Sequence, residues 1–201
     1  YVNPTQFNDE DDFTTYPRQT EDDIEILKAV NCDLLFLPID REMYPNNKHV
    51  IDYQCTDYMD ILEGEKRPGH FLGVITIVQK LFSLISPSRA YFGEKDYQQL
   101  WIIKSFVKNL KLPIEIKSCP TIRDENGLAL SSRNRNLKSK KKIANKLFQA
   151  LNYFKKEISQ IQKESKNTKT YNLVAAKKTI IKKIINDPFI KLDYFEVIEN
   201  E

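Results

Sequence analysis

The stretch Arg89-Ala-Tyr-Phe-Gly-Glu-Lys-Asp-Tyr-Gln-Gln-Leu100 decides the fold class, because it has the pattern of a strand that turns into a helix. Ala90 to Phe92 is short and apolar, and Gly93 permits a tight turn where the backbone approaches a ligand. Apolar residues then recur at helical spacing, namely Leu100, Ile103, Phe106, Val107 and Leu110. In an open α/β sheet such a loop lies at the carboxyl end of a strand, where ligands bind and a helix N-terminus favours phosphate.

Two charged residues in this loop suggest its chemistry. Lys95 offers a positive charge for a polyphosphate, and Asp96 offers a hard oxygen ligand for Mg²⁺. An ordinary surface turn, in which the lysine and the aspartate pair in solvent, has the same sequence. The loop by itself does not separate the two interpretations.

Length and composition describe a globular protein. The 201 residues suffice for one sizeable core, or for an ordinary domain with a smaller one. With 31 basic and 28 acidic residues the net charge is +3, which gives no argument for nucleic acid or a membrane as the main partner. The three cysteines are widely spaced, without metal-ligand spacing, and predict buried thiols in a reducing compartment. No apolar run reaches the roughly 20 residues of a membrane span, so we expect a cytoplasmic protein.

The first part of the chain predicts a β-α-β arrangement. Residues 1–6 have the pattern of a strand end followed by a polar loop, and an acidic connector covers residues 7–16. Thr20 is the expected N-cap of a helix that extends to Val30, with acidic residues in its first turn. The apolar run from Asp33 to Pro38 predicts a strand that is buried on both faces of a parallel sheet.

Further elements follow up to Pro120. We predict a short strand over 49–53, a charged loop over 62–70 and a helix over 73–85 that Pro87 ends. Alternating apolar and polar residues over 113–119 predict another strand, nearer the edge of the sheet.

The composition changes after Pro120. Asn126-Gly127 predicts a hairpin-type turn, and residues 128–137 a loop or short strand. Residues 138–185 are rich in lysine and have helical periodicity, and residues 189–198 have the pattern of a final strand. We therefore expect two domains, residues 1–120 and a smaller α+β domain of residues 121–201.

Polar clusters elsewhere are candidate ligand contacts. Ser131-Ser132-Arg133 could grip a polyphosphate, although such residues are usually only solvated. Amides in Asn3-Pro-Thr-Gln6 and in Gln98-Gln99 suit hydroxyl and carboxylate recognition, with turn formation as the alternative. His70, in a Pro-Gly-His turn, is expected to be a structural hydrogen bonder and not a general base.

Six blocks in one order closely resemble the pantothenate synthetase (pantoate–β-alanine ligase) family. The resemblance extends from residue 1 to about residue 151, and weakly to the end. The blocks are Val2-Asn-Pro-Thr-Gln-Phe7, Tyr16-Pro-Arg18, Met43-Tyr-Pro45, Leu62-Glu-Gly-Glu-Lys-Arg-Pro-Gly-His-Phe71, Phe92-Gly-Glu-Lys-Asp-Tyr-Gln-Gln-Leu100 and Gly127-Leu-Ala-Leu-Ser-Ser-Arg-Asn134.

The resemblance implies a fold and a reaction. The expected fold is a Rossmann-like nucleotidyltransferase domain with a parallel sheet, followed by a smaller lid domain, in a homodimer. The implied substrates are ATP, with Mg²⁺, pantoate and β-alanine. Pantoate is activated to a pantoyl adenylate with release of pyrophosphate, and β-alanine then displaces AMP to give pantothenate.

The same resemblance implies site residues. The ATP-binding set is Gly93, Glu94, Lys95, Asp96, Ile122, Leu130, Ser131, Ser132 and Arg133. Within it, Lys95, Ser131, Ser132 and Arg133 are expected to be catalytic, and Asp96 to lie near the metal. Gln6 and Gln99 are expected to hold pantoate, with Gln6 also near β-alanine.

One departure from the family pattern is important. The family's His-x-Gly-His motif, which carries its proton-donor histidine, precedes the position that matches Tyr1, and His49 and His70 do not replace it. The family's last strands also lie beyond the end of the chain. We therefore expect the 201 residues to be a fragment that is inactive by itself. The alternative hypothesis is a degenerate nucleotide-binding or assembly protein of the same fold. A different nucleotidyltransferase is disfavoured, because no second basic cluster awaits a substrate phosphate.

Overall fold

The chain divides into two compact units, Tyr1–Pro120 and Thr121–Glu201. A computed structural model describes residues 1–45, 51, 58–161 and 166–198. The strand predicted over 49–53 lies outside the described residues, apart from Ile51. Among the helices described, none is long and apolar enough to cross a membrane.

The first unit contains a parallel pair of strands. Strand β1 (Arg89–Gly93) pairs with β2 (Glu115–Cys119), in a register that runs from Arg89 opposite Glu115 to Gly93 opposite Cys119. Parallel neighbours need a crossover connection, and helix α6 (Tyr97–Asn109) supplies it. The strand, loop and helix predicted from residues 89–110 are confirmed, and so is the strand after Pro113. The molecule is of the α/β class.

Two helices form the core of this unit together with the strands. Helix α5 (His70–Ile85) begins one turn earlier than predicted, because the amide of Gly73 already bonds the carbonyl of Gly69 at 3.0 Å. Its apolar face packs with the buried face of α6. The buried apolar residues of this cluster are Met43, Tyr44, Phe71, Val74, Ile75, Ile77, Val78, Phe82, Ile102, Ile103, Phe106 and Val107. Leu110, which was predicted to continue the face of α6, is 42% exposed because it follows the end of the helix.

Short helices occupy segments that the sequence did not predict as helical. Helix α1 (Glu10–Thr15) replaces the predicted acidic connector, because the Asp9 carboxylate accepts hydrogen bonds from the first amides of the helix. Helix α2 (Thr20–Ala29) lies where it was expected, but Thr20 is its first residue and Gln19 is at the cap position. Helices α3 (Asp40–Met43) and α4 (Glu63–Lys66) are single turns within predicted loops.

Two strand predictions in the first part of the chain, over residues 33–38 and at the start of residues 1–6, are wrong. Residues 33–38 have no strand neighbour among the described residues, and Leu34 is 81% exposed. An extended apolar segment becomes a strand only when a neighbour pairs with its backbone, so the prediction of a buried strand is wrong here. Residues 1–3, where a strand end was predicted, are not in a strand, and the polar loop predicted after them contains a 3-10 turn, Pro4–Gln6.

The prediction of buried thiols is also wrong for the described cysteines. Cys32 is exposed and Cys119 is only partly buried. Cys32 lies just after α2 in the same exposed segment, where its thiol donates to the carbonyl of Leu34 at 3.3 Å. Cys55 lies outside the described residues.

The second unit is helical. Helices α7 (Lys141–Ile161) and α8 (Lys166–Ile185) pack together, and their buried cluster contains Phe154, Ala176, Ile180 and Ile184. Residues 189–198 were predicted as a strand, but Phe189 lies in a turn and residues 190–198 have no paired strand among the described residues. Ile190, Leu192 and Phe195 instead pack against the helical cluster, which explains the apolar pattern.

Candidate active site

The loop after β1 presents its charged residues to solvent. Glu94–Asp96 forms a 3-10 turn that leads directly into α6, and all three side chains are exposed. Gly93 has φ −75° and ψ 136°, which any residue adopts, so the turn that follows it does not require a glycine conformation. The nearest atom to an added Cβ would be the Lys95 amide nitrogen at 4.0 Å. The glycine therefore leaves open space beside the turn, which suits the close approach of a ligand.

The two adjacent glutamines at the start of α6 have different roles. The Gln98 side chain donates to the carbonyls of Tyr58 and Ile61 at 2.8 and 2.9 Å, and accepts from the Glu63 amide at 3.2 Å. Its carboxamide is therefore fully used by the protein. Gln99 makes no side-chain hydrogen bond to any described residue, so its amide remains available to a ligand. Of the two, Gln99 is therefore the candidate for ligand recognition, and Gln98 has a structural role.

The Pro4–Gln6 turn is held by a buried polar network. Asn3 is buried, and its side-chain amide donates to the carbonyl of Gly73 at 3.1 Å and to Oε1 of Gln6 at 3.2 Å. The Tyr44 hydroxyl donates to Oδ1 of Asn3 at 2.5 Å, and burial raises the pKa of Tyr44. Asn3 therefore supports Gln6 from within the protein, whereas the sequence grouped both amides as ligand contacts.

The main-chain carbonyl of Gln6 is bonded by the first residue of α5, His70, and by Arg67 from the segment before α5. Its carbonyl accepts from Nδ1 of His70 at 2.7 Å and from Nη2 of Arg67 at 3.1 Å. Nη1 of Arg67 also lies 3.3 Å from a carboxylate oxygen of Glu63. The density of charged residues in Leu62–His70 was the sequence signal for this group, but the sequence did not identify Arg67.

The hydrogen bonds of His70 define its protonation state. A carbonyl can only accept, so Nδ1 carries the proton. Nε2 lies 3.4 Å from Nη1 of Arg67, which can only donate, so Nε2 is the acceptor of a neutral ring. Burial lowers the pKa of His70. The hydrogen bond to the Gln6 carbonyl raises this pKa, and the positive charge of Arg67 lowers it further. Both ring nitrogens are occupied, which agrees with the structural role expected for this histidine.

The remaining predicted residues lie in the second unit, around a tight turn. Arg123 and Ala129 form an antiparallel bridge, and the amide of Leu130 bonds the carbonyl of Ile122 at 2.9 Å. Gly127 has φ +90°, and an added Cβ would lie 2.0 Å from the Phe148 ring, so the turn requires glycine. The hairpin brings the predicted adenine neighbour Ile122 beside Leu130, and both side chains are exposed.

The serine-arginine motif directly follows this hairpin. Oγ of Ser131 accepts from the Arg133 amide at 3.3 Å, and the carbonyl of Ser131 accepts from the Asn134 amide at 3.0 Å. A 3-10 helix, Ser132–Lys140, begins at this point. Ser132 and Arg133 are exposed, so the motif presents a hydroxyl and a guanidinium at the start of a helical segment.

The described residues contain no cluster of three or more acidic, histidine or cysteine side chains that could hold a metal ion by themselves. Asp96 offers one exposed carboxylate. Mg²⁺ in nucleotide sites is commonly held by one or two carboxylates, the phosphates and water. One exposed carboxylate such as Asp96 is compatible with this kind of coordination.

Comparison with known proteins gives one consistent family. The family model described as "Pantoate-beta-alanine ligase" matches residues 1–201. A pantothenate synthetase from Cytophaga hutchinsonii is 47% identical over 162 residues, which are 80% of this chain and 56% of that protein. The chain thus spans little more than half the length of this relative.

Solved structures agree with the sequence comparison. The pantothenate synthetase of Thermus thermophilus superposes with a TM-score of 0.86 at 38% identity, over 96% of this chain and 67% of that one. The pantoate-beta-alanine ligase of Francisella tularensis, solved with "Beta-gamma ATP and Beta-alanine", gives 0.76 at 39% identity, over 100% and 70%. The shared fold is that of the nucleotidyltransferases, and the chain belongs to the pantoate–β-alanine ligase family.

Proposed function

We propose that the complete protein ligates pantoate and β-alanine to pantothenate at the expense of ATP. The observation that carries this proposal is the match of the family model to all 201 residues. The geometry supports it, because Lys95 and Asp96 in the loop after β1, and Gln99 in the first turn of α6, follow the carboxyl end of a parallel strand. Ligands of open α/β sheets bind at this end.

The proposed reaction has two steps. A carboxylate oxygen of pantoate attacks the α-phosphorus of ATP, so that a P–O bond forms to the substrate and pyrophosphate leaves. The amine of β-alanine then attacks the acyl carbon of the pantoyl adenylate, and the C–O bond to AMP breaks as the amide forms. The amine loses a proton in this step.

The proposed roles follow from the chemistry of each group. Negative charge grows on the phosphate oxygens in the first step, and Lys95 and Arg133 stabilise it electrostatically. Ser131 and Ser132 bind phosphate oxygens, and the backbone around Gly93 and Glu94 lies beside the nucleotide. Gln6 and Gln99 hold pantoate, and Gln6 also lies near the incoming amine. The exposed apolar side chains of Ile122 and Leu130 flank the nucleotide.

The proposal also covers the metal ion, the roles of the two units, the oligomeric state and the cellular compartment. Asp96 would contact Mg²⁺ that is bound to the phosphates, and the ion would add positive charge where the phosphorus gains negative charge. The first unit binds nucleotide and pantoate, and the second unit is the lid domain. The protein works as a homodimer in the cytoplasm.

A product assay tests the proposal. The protein expressed from its complete coding sequence should form pantothenate and AMP in equal amounts, and only when ATP, Mg²⁺, pantoate and β-alanine are all present. Release of ADP instead of AMP, or no amide product at all, would contradict it. Nucleotide binding without product would favour a degenerate binding protein.

A further inference from the structure

The carbonyl of Gln6 accepts from two side-chain donors that no step of the proposed reaction uses, the buried His70 and the partly buried Arg67. Nδ1 of His70 lies 2.7 Å from this oxygen and Nη2 of Arg67 lies 3.1 Å from it. His70 is only 6% exposed, so its hydrogen bond is shielded from competing water. A carbonyl oxygen has two lone pairs, and both are used here.

These donors are themselves held by further contacts. Arg67 contacts Glu63 at 3.3 Å, and the Glu63 amide donates to Gln98 at 3.2 Å. Asn8 donates to the carbonyl of Pro68 at 2.7 Å, which joins the same two segments a second time. A continuous series of hydrogen bonds therefore leads from Gln6 through Arg67 and Glu63 to the first turn of α6.

We propose that Arg67 and His70 are positioning residues, which fix the Gln6 side chain for substrate by holding its main-chain carbonyl. This inference rests on the proposed function, in which Gln6 binds pantoate and lies near β-alanine. Within the described part of the chain, the side-chain nitrogen of Gln6 has no hydrogen-bond partner and is free to donate to a substrate. A displacement of about 1 Å in such a group can cost about a hundredfold in rate.

A cycle of variants separates positioning from general folding. His70→Phe removes the donor but keeps an apolar ring, whereas His70→Asn keeps a donor near the position of Nδ1. In the complete protein, His70→Phe should lower kcat/KM for pantoate about 10- to 100-fold, and His70→Asn should recover most of this loss.

The same substitution in a Gln6→Ala background is the decisive comparison. When the Gln6 side chain is gone, its position no longer matters, so His70→Phe should then change kcat/KM by less than about twofold. An equal loss in both backgrounds would overturn the proposal, because it would mean that His70 acts independently of Gln6. No loss in the wild-type background would also overturn it.

Hydrogen exchange gives a readout that does not depend on activity. The amides of Gln6 and Phe7 should exchange faster in His70→Phe than in wild type, and close to the wild-type rate in His70→Asn. Unchanged exchange in His70→Phe would overturn the positioning role. An inactive wild-type protein in which His70→Phe still accelerates exchange would refute the proposed function alone.

Discussion

At the scale of single residues, Lys95 provides positive charge for the first step of the proposed mechanism. Its side chain is exposed on the turn after β1, outside the apolar core of its unit. Lys95→Ala should therefore lower adenylate formation about 100- to 1000-fold, the loss typical of removing one transition-state donor. The urea midpoint of unfolding should stay close to that of wild type.

The matched control is Lys108→Ala, which removes an exposed lysine from the far end of α6. This variant should keep the wild-type rate of adenylate formation. Equal rates in Lys95→Ala and Lys108→Ala would remove Lys95 from the mechanism.

We predict that alanine substitutions of the neighbours Gln98 and Gln99 have different effects, on stability for Gln98 and on pantoate binding for Gln99. Gln98→Ala removes the side-chain donor of the Tyr58 carbonyl and the acceptor of the Glu63 amide, while the Ile61 carbonyl keeps the Gly64 amide as a donor. The substitution should cost about 1–3 kcal/mol of stability. Gln99→Ala should leave the stability unchanged and raise KM for pantoate about tenfold, which corresponds to one hydrogen bond of about 1.4 kcal/mol. Urea unfolding and pantoate titration of both variants check this, and interchanged effects would refute the assignment.

His70 makes the stability depend on pH. Its pKa in the folded protein is lower than the unfolded value of about 6.5, so the unfolded chain takes up a proton first as the pH falls. The stabilisation is complete above about pH 6.5 and declines as the pH falls toward the folded pKa, by at most about 1.4 kcal/mol per pH unit. Urea midpoints should fall more steeply with acid in wild type than in His70→Asn. Parallel declines would show that His70 is not the group responsible.

At the scale of elements, the contact between α5 and the Pro4–Gln6 turn depends on Gly73. An added Cβ would lie 2.2 Å from the carbonyl oxygen of Thr5, which is backbone and cannot move aside alone. Alanine normally stabilises a helix interior relative to glycine. Gly73→Ala should instead destabilise the protein by more than about 2 kcal/mol. Gly93→Ala, at an open position, should change the urea midpoint little, and similar effects of the two substitutions would contradict this packing.

The sequence predicted two kinds of element correctly: turns that depend on adjacent residues, and helices whose apolar residues recur with the helical period. The apolar face of α6 and the Asn126-Gly127 turn follow from residues that are close in sequence. The strand predicted over 33–38 is wrong, because a strand also requires a neighbour, which the apolar pattern does not specify. Helix α1 was not predicted because its residues lack helical periodicity. The Asp9 cap, which accepts hydrogen bonds from two amides of the first turn, stabilises the helix nevertheless.

The same distinction holds for the candidate site. Lys95, Asp96 and Gln99 were identifiable because their position after a strand determines their exposure, although their catalytic roles remain predictions. The supporting role of Arg67 depends on a contact across 61 residues of sequence, which no local pattern encodes. The separate structural use of Gln98 could not be predicted either, because Gln98 and Gln99 are chemically identical and only the fold distinguishes them.

At the scale of the whole molecule, the site residues are divided between the two units. Gln6 and residues 93–99 belong to Tyr1–Pro120, and Ile122 and residues 130–133 belong to Thr121–Glu201. The roles proposed for residues of both sets concern ATP. A half-reaction that needs ATP and pantoate but no β-alanine therefore tests the combined account.

The most direct measurement is pantoate-dependent exchange of labelled pyrophosphate into ATP. It should be run on the protein expressed from its complete coding sequence and on the 201-residue chain. We predict exchange in the complete protein, because adenylate formation is reversible, and exchange about 100- to 1000-fold slower in Lys95→Ala. Absence of pantoate-dependent exchange in the complete protein would contradict the adenylate mechanism.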